Sequence, residues 1–197
     1  MKKKETRSTD EVLKILTLSV KQVLDAATRT EITYSPVIQK INKTCLQPDI
    51  GCFVLFDGGF SGLVIINFSQ AAAMELYHDY MTSMGMPEEE LATLFTSDDV
   101  SNVLGELTNQ IIGNFQVEVK RKLRTSIKQN QPKMIVVNKD IMISINTPID
   151  KPQYRKVSFE TANHRPFYVE IAMEKTEFID LFPVEEDKVF DIDSMFT

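Results

Sequence analysis

Glu106 and Asn109 are the residues of this chain whose types and spacing could do chemistry. Three positions apart on a helix, a carboxylate and a carboxamide share one face. The carboxylate can hold a cation. The amide oxygen can accept a hydrogen bond from water while its NH2 donates to an anionic group. Asn102 and Gly113 extend that face, giving spacings of four, three and four from Asn102 to Gly113. Gly105 and Gly113 flank it, although each glycine inside a helix costs about 1 kcal/mol relative to alanine. Bare backbone beside a polar pair lets another surface approach closely, so the arrangement is site-like, not an ordinary solvated face.

The element that must position these residues is the stretch SDDVSNVLGELTNQIIGNFQVEVKRKLRTS, residues 97–126. Ser97 or Asp98 can cap its start, and Asp98 and Asp99 favour the positive end of a helix. At about 100° per residue, Val100, Leu104, Leu107, Ile111 and Phe115 fall on one core-facing stripe. Lys120, Arg121, Lys122 and Arg124 close the helix, as its negative end prefers.

Glu106-x2-Asn109, then Gly113-Asn114, then Pro132 after twenty-two residues intervening from Asn109, resembles the motif of the CheC/CheX/FliY family of chemotaxis response-regulator phosphatases. The family pattern usually carries Asp or Ser four residues before the Glu, where this chain has Asn102. The passage from Ile50 to Phe68 and the helix behind it, and the strand QPKMIVV, also resemble the family, over roughly residues 10–173. The resemblance implies a CheC-like α+β fold: an antiparallel sheet with long helices packed on one face. It implies hydrolysis of the aspartyl phosphate of a phosphorylated CheY-like receiver, with Asn109 orienting the water and Glu106 pairing with the receiver's active-site lysine. Asn102, Gly105 and Gly113 would then contact the partner. The Mg2+ belongs to the receiver, so no cofactor or metal of the chain's own is expected.

CheC-type members carry a second motif near the start. Here Glu11 is followed three residues later by Lys14, which leaves one site and points to the single-motif CheX type. CheX-type proteins dimerise through their sheets, so the resemblance implies a homodimer. Two other readings stand beside the phosphatase. One is a non-catalytic module of the same fold that binds a receiver or a motility-complex component. The other is a scaffold related to the flagellar switch proteins.

With 197 residues, 43% hydrophobic and 25% charged, the chain suits one globular domain with tails. A net charge of −6 and the lack of a basic, aromatic-interleaved stripe argue against nucleic-acid binding. Cys45 and Cys52, with two histidines, make no recognisable metal spacing, and the thiols are expected to be reduced and separate. The opening MKKKETRSTD has no apolar run, and no stretch reaches membrane-spanning length, so no membrane and a cytoplasmic location are expected.

Residues 1–7 read as a flexible N-terminal arm, 8–174 as a single domain and 175–197 as an acidic C-terminal tail. The tail holds seven acids against two lysines, with spaced phenylalanines. It is either a solvated terminus or a docking peptide. Ser8-x-x-Glu11 opens a helix over about 9–28. Residues 31–41 are extended but broken by Pro36. Asp57-Gly58-Gly59 turns a hairpin, and Ser69 caps a helix that stops at Gly85. Residues 87–95 form a short amphipathic helix or a lead-in to the main one. KMIVV and IMISINT are expected to pair through a turn at 138–140, and KVSFET with FYVEIAME through a turn at 162–165. His78 is expected to be a partly buried structural histidine and His164 a solvated turn residue.

Overall fold

The computed structural model describes residues 6–137 and 141–179. After a short strand, β1 (Thr6–Arg7), the apolar periodicity behind Ser8 forms α1 (Thr9–Thr28), the expected span. The stretch interrupted by Pro36 yields two short strands, β2 (Thr33–Tyr34) and β3 (Gln39–Lys40), and β4 (Thr44–Leu46) follows. The expected hairpin is β5 (Ile50–Gly58) and β6 (Gly62–Phe68). Gly58 sits at φ +134, open to glycine but strained for L side chains. Ser69 Oγ accepts from the Ala72 amide at 3.2 Å and starts α2 (Gln70–Ser83). Glu88–Glu90 form a single 3-10 turn with no buried residue, so no amphipathic helix stands there.

The long helix is α3 (Asp98–Leu123), followed by β7 (Ile127–Gln129), β8 (Lys133–Val136), β9 (Ile143–Ile145), β10 (Gln153–Glu160), β11 (Pro166–Met173) and β12 (Phe178–Ile179). Eight strands make one antiparallel sheet in the order β2-β10-β11-β6-β5-β7, with β3 also on β10 and β8 also on β5. Two hairpins, β5–β6 and β10–β11, are therefore joined through β6 and β11 at the centre, and short strands line both rims.

Alternation along β6 sends Val64, Ile66 and Phe68 into the main core with the buried stripes of α1, α2 and α3. Leu63 and Ile65 point to the other side, where they pack with Leu46, Val137 and Ala172 beneath the β4–β9 pair. The fold is α+β, with the helices on one face of an antiparallel sheet as expected. The expected pairing of KMIVV with IMISINT does not form: β8 adds to β5, whereas β9 crosses to β4 on the outer face. Local sequence favoured both as strands, but their partners are set by which sheet face lacks cover. The expected turn at 138–140 lies outside the described residues, as do residues 1–5 of the arm and 180–197 of the tail. Thr6–Arg7 and Phe178–Ile179 pair with each other, so regular structure extends just beyond the expected 8–174.

Phe115 ties α3 to the sheet. Its buried ring meets Phe56 edge-on at 6.0 Å, and Phe56 meets Phe60 the same way at 5.6 Å. Phe115→Ala is expected to lower unfolding free energy by about 3–5 kcal/mol in chemical denaturation. A loss below about 1 kcal/mol would mean that this contact does not anchor the helix.

Candidate functional site on the exposed face of α3

Ser97 Oγ accepts from the Val100 amide at 3.3 Å to open α3, and Asp98 and Asp99 occupy the first turn. All five residues of the expected core stripe are buried, and Thr108, Ile112, Val119 and Leu123 join them. Thr108 Oγ1 donates back to the Leu104 carbonyl at 2.8 Å, which satisfies its hydroxyl inside the core. The Cys52 thiol lies against Thr108. Burial pushes its pKa up to about 12, partly offset by the hydrogen bond with Thr108. It is therefore no thiolate at neutral pH, and both cysteines are free and buried.

On the other side of α3, Asn102 and Glu106 are exposed, while Asn109, Gly105 and Gly113 are half-buried. Asn102, Glu106, Asn109 and Gly113 share one open face. Gly105 turns towards the rim strand, where an added Cβ would meet Met134 Cγ at 3.7 Å, an ordinary contact. At Gly113 an added Cβ would meet nothing within 4 Å among the described residues. Neither glycine is required by the chain's own packing, so the helix gives up propensity there without an internal return.

Gln110 Nε2 donates to Glu106 Oε1 at 3.0 Å, and this link holds the carboxylate along the helix. Further on, Val117 is 63% exposed on the same face, an apolar side chain with no core to enter. In the last turns, the hydrogen bond from Arg121 and then that from Lys122 hold the Glu118 carboxyl below its usual range. Gln110 could have been found from its i, i+4 spacing to Glu106. Val117 follows from the same helical count once the stripe is drawn through Gly113.

The start of α1 offers no second copy of this arrangement. Lys14 stands three residues after Glu11 and its Nζ lies 2.5 Å from Glu11 Oε1, so an ammonium replaces the amide and neutralises the acid. His78 is exposed, not partly buried, because it lies on the outer side of α2. Its Nε2 lies 3.2 Å from the Ala92 carbonyl oxygen. His164 is an exposed turn residue. Among the described residues, no group of three or more His, Cys, Asp or Glu could hold a metal ion, and no helix is long and apolar enough to cross a membrane.

Residues 3–197 match the family described as "Protein of unknown function (DUF3334)". The chain belongs to that family. No curated protein matches it. Among solved structures, the chain resembles the chemotaxis protein CheX from Desulfovibrio desulfuricans, with a TM-score of 0.70 and 19% identity over 83% of this chain and 99% of that one. The CheX–CheY–BeF3–Mg2+ complex from Borrelia burgdorferi gives a TM-score of 0.62 at 18% identity, covering 83% and 97%. FliY from Thermotoga maritima gives 0.61 at 17%, covering 82% and 86%. This DUF3334 member thus has the fold of the CheC/CheX/FliY proteins, as the motif resemblance implied.

Since nothing lies near Gly113, Gly113→Ala is expected to raise unfolding free energy by about 1 kcal/mol in chemical denaturation. A destabilised variant would show that this backbone needs glycine for internal reasons.

Proposed function

We propose that this protein is a phosphatase that hydrolyses the aspartyl phosphate of a CheY-like receiver by positioning a water molecule. The observation that carries the reading is the Glu106–Asn109 pair on an unobstructed face of a helix whose opposite stripe is buried. An aspartyl phosphate is already an activated anhydride, so its hydrolysis needs an in-line water and charge compensation more than a protein nucleophile. The Asn109 amide oxygen accepts from that water, and its NH2 donates towards the phosphoryl oxygens. Glu106, held by Gln110, pairs with a lysine of the receiver and sets the approach of the helix. The Mg2+ comes with the receiver. That CheX of Borrelia burgdorferi forms a complex with CheY supports a CheY-type partner for this chain.

Docking without turnover is the second reading, and Asn102 favours it because the family pattern usually has Asp or Ser there. The two readings separate in one experiment. Loss of acyl phosphate from a phosphorylated CheY-type receiver is followed with wild type, Asn109→Ala and Glu106→Ala, and binding is measured in parallel. Asn109→Ala is expected to slow turnover by about 10²-fold or more with binding retained. Glu106→Ala is expected to weaken binding about tenfold. Wild type that binds and does not accelerate hydrolysis would establish the adaptor instead.

The proposal includes a cytoplasmic homodimer. Ile141, Met142 and Ile143 are 50%, 60% and 40% exposed, and among the described residues β9 pairs only with β4. An apolar strand with a free edge supports pairing between copies. Light scattering is expected to give twice the chain mass, shifting to the monomer in Ile143→Lys; a monomeric wild type would remove this part.

A further inference from the structure

The face that carries Glu106 continues into a cleft. Gln110, the hydrogen-bond partner of Glu106, also lines a cavity of about 480 Å3 between α3, α1 and the end of α2. Gln22 and Ala26 of α1 lie on one wall and Gln110 and Asn114 of α3 on the other, and Met84 and Arg29 are among the further lining residues. Three features of this cleft bear on what it could hold.

The first is the backbone of Arg29. It caps α1 in the left-handed conformation at φ 58 and ψ 25, a position that glycine or asparagine normally takes because an L side chain is strained there. The second is its guanidinium. Arg29 forms no ion pair among the described residues, although Asp79 and Glu88 line the neighbouring cleft that it also borders. The third is Asn114, whose buried Oδ1 has no hydrogen-bond partner among the described residues. A guanidinium without an ion pair among the described residues, beside an orphan acceptor, is where an external partner is to be sought.

The chemistry of that partner follows from charge. A protein that carries Mg2+ must present clustered carboxylates, and a phosphoryl group adds further negative charge. This chain is itself acidic, at −6, and the acid on its docking face is Glu106. The receiver's lysine and its Mg2+ offset part of that charge, and a cation on this chain at the contact offsets more of it. We infer that Arg29 is a receiver-binding residue: its guanidinium, at the α1–α3 cleft, pairs with carboxylates around the phosphorylation site of the receiver that Glu106 and Asn109 engage. Arg29 thereby sets the encounter and KM and leaves the chemical step to Asn109. The inference rests on the receiver-docking reading above.

The test uses the full chain and a phosphorylated CheY-type receiver, with wild type, Arg29→Gly, Arg29→Lys and Arg124→Gly. Glycine suits the left-handed backbone, so Arg29→Gly is expected to fold with an unfolding temperature equal to or above that of wild type. Its KM, or Kd if there is no turnover, is expected to rise about tenfold at low salt with kcat unchanged. That difference should shrink as salt is raised, and Arg29→Lys should recover most of the loss. Arg124 has the same backbone conformation at the end of α3, φ 54, and Arg124→Gly is expected to bind as wild type does. Wild-type binding with an unchanged KM and salt dependence in Arg29→Gly would overturn the role of Arg29 alone. Wild type that binds no receiver would overturn the docking reading and this inference with it, and that outcome is visible before any variant is made.

Discussion

Burial of one stripe of α3 is the constraint on which the rest depends. Val100, Leu104, Leu107, Ile111 and Phe115 are each withdrawn from water, and at about 1.5–3 kcal/mol for each large side chain their burial contributes on the order of 10 kcal/mol. Two helical glycines cost about 1 kcal/mol each, so the packing outweighs them and the helix can carry them on its free side. Rotating the helix to hide Glu106 would draw apolar residues into solvent. The polar face is therefore held outward by the core, and a site on such a helix is positioned more firmly than one on a loop.

The sheet supplies the other half of that constraint. Its two hairpins meet at β6 and β11, and α1 and α3 pack side by side on the same face. Each helix ends in a left-handed arginine, Arg29 and Arg124. The two helices differ in what they present. The Glu11–Lys14 pair of α1 is internally neutralised, whereas among the described residues Glu106 of α3 is met only by the neutral amide of Gln110. A carboxylate that forms no ion pair among the described residues is available to a cation on another molecule, and this distinguishes α3 from α1.

Nothing in this arrangement depends on an activated nucleophile. Burial displaces three pKa values upward among the described residues: Cys52 and Glu170 lie inside the protein, where Glu170 accepts a hydrogen bond from the Cys45 amide at 3.0 Å, and Asp79 lines the cleft that Arg29 and Glu88 border. An amide has no proton to lose in the relevant range, so the proposed role of Asn109 is one of geometry instead of acid strength. The proposed reaction needs a firm helix, an open approach and a partner that brings the reactive phosphoryl group. The first two are features of this chain; the third defines why the partner matters.

Local sequence by itself determined the spans of α1 and α3, the β5–β6 and β10–β11 hairpins, and which side of α3 is polar. Each follows from apolar periodicity, a capping serine or a glycine turn, and these act over a few residues. The Glu106–Asn109 face was legible for the same reason, since helical spacing alone brings those side chains together. Tertiary structure alone decided that β9 joins β4 and leaves β8 to β5, that a second apolar layer covers the outer face of the sheet, and that Arg155 of β10 reaches Asp10 of α1 at 2.7 Å. It also decided that Arg29 and Gln22 of α1 share a cleft with Gln110 and Asn114 of α3. These juxtapositions join residues tens of positions apart, and no local pattern encodes them. They arise only when the faces left over by local structure compete to leave water.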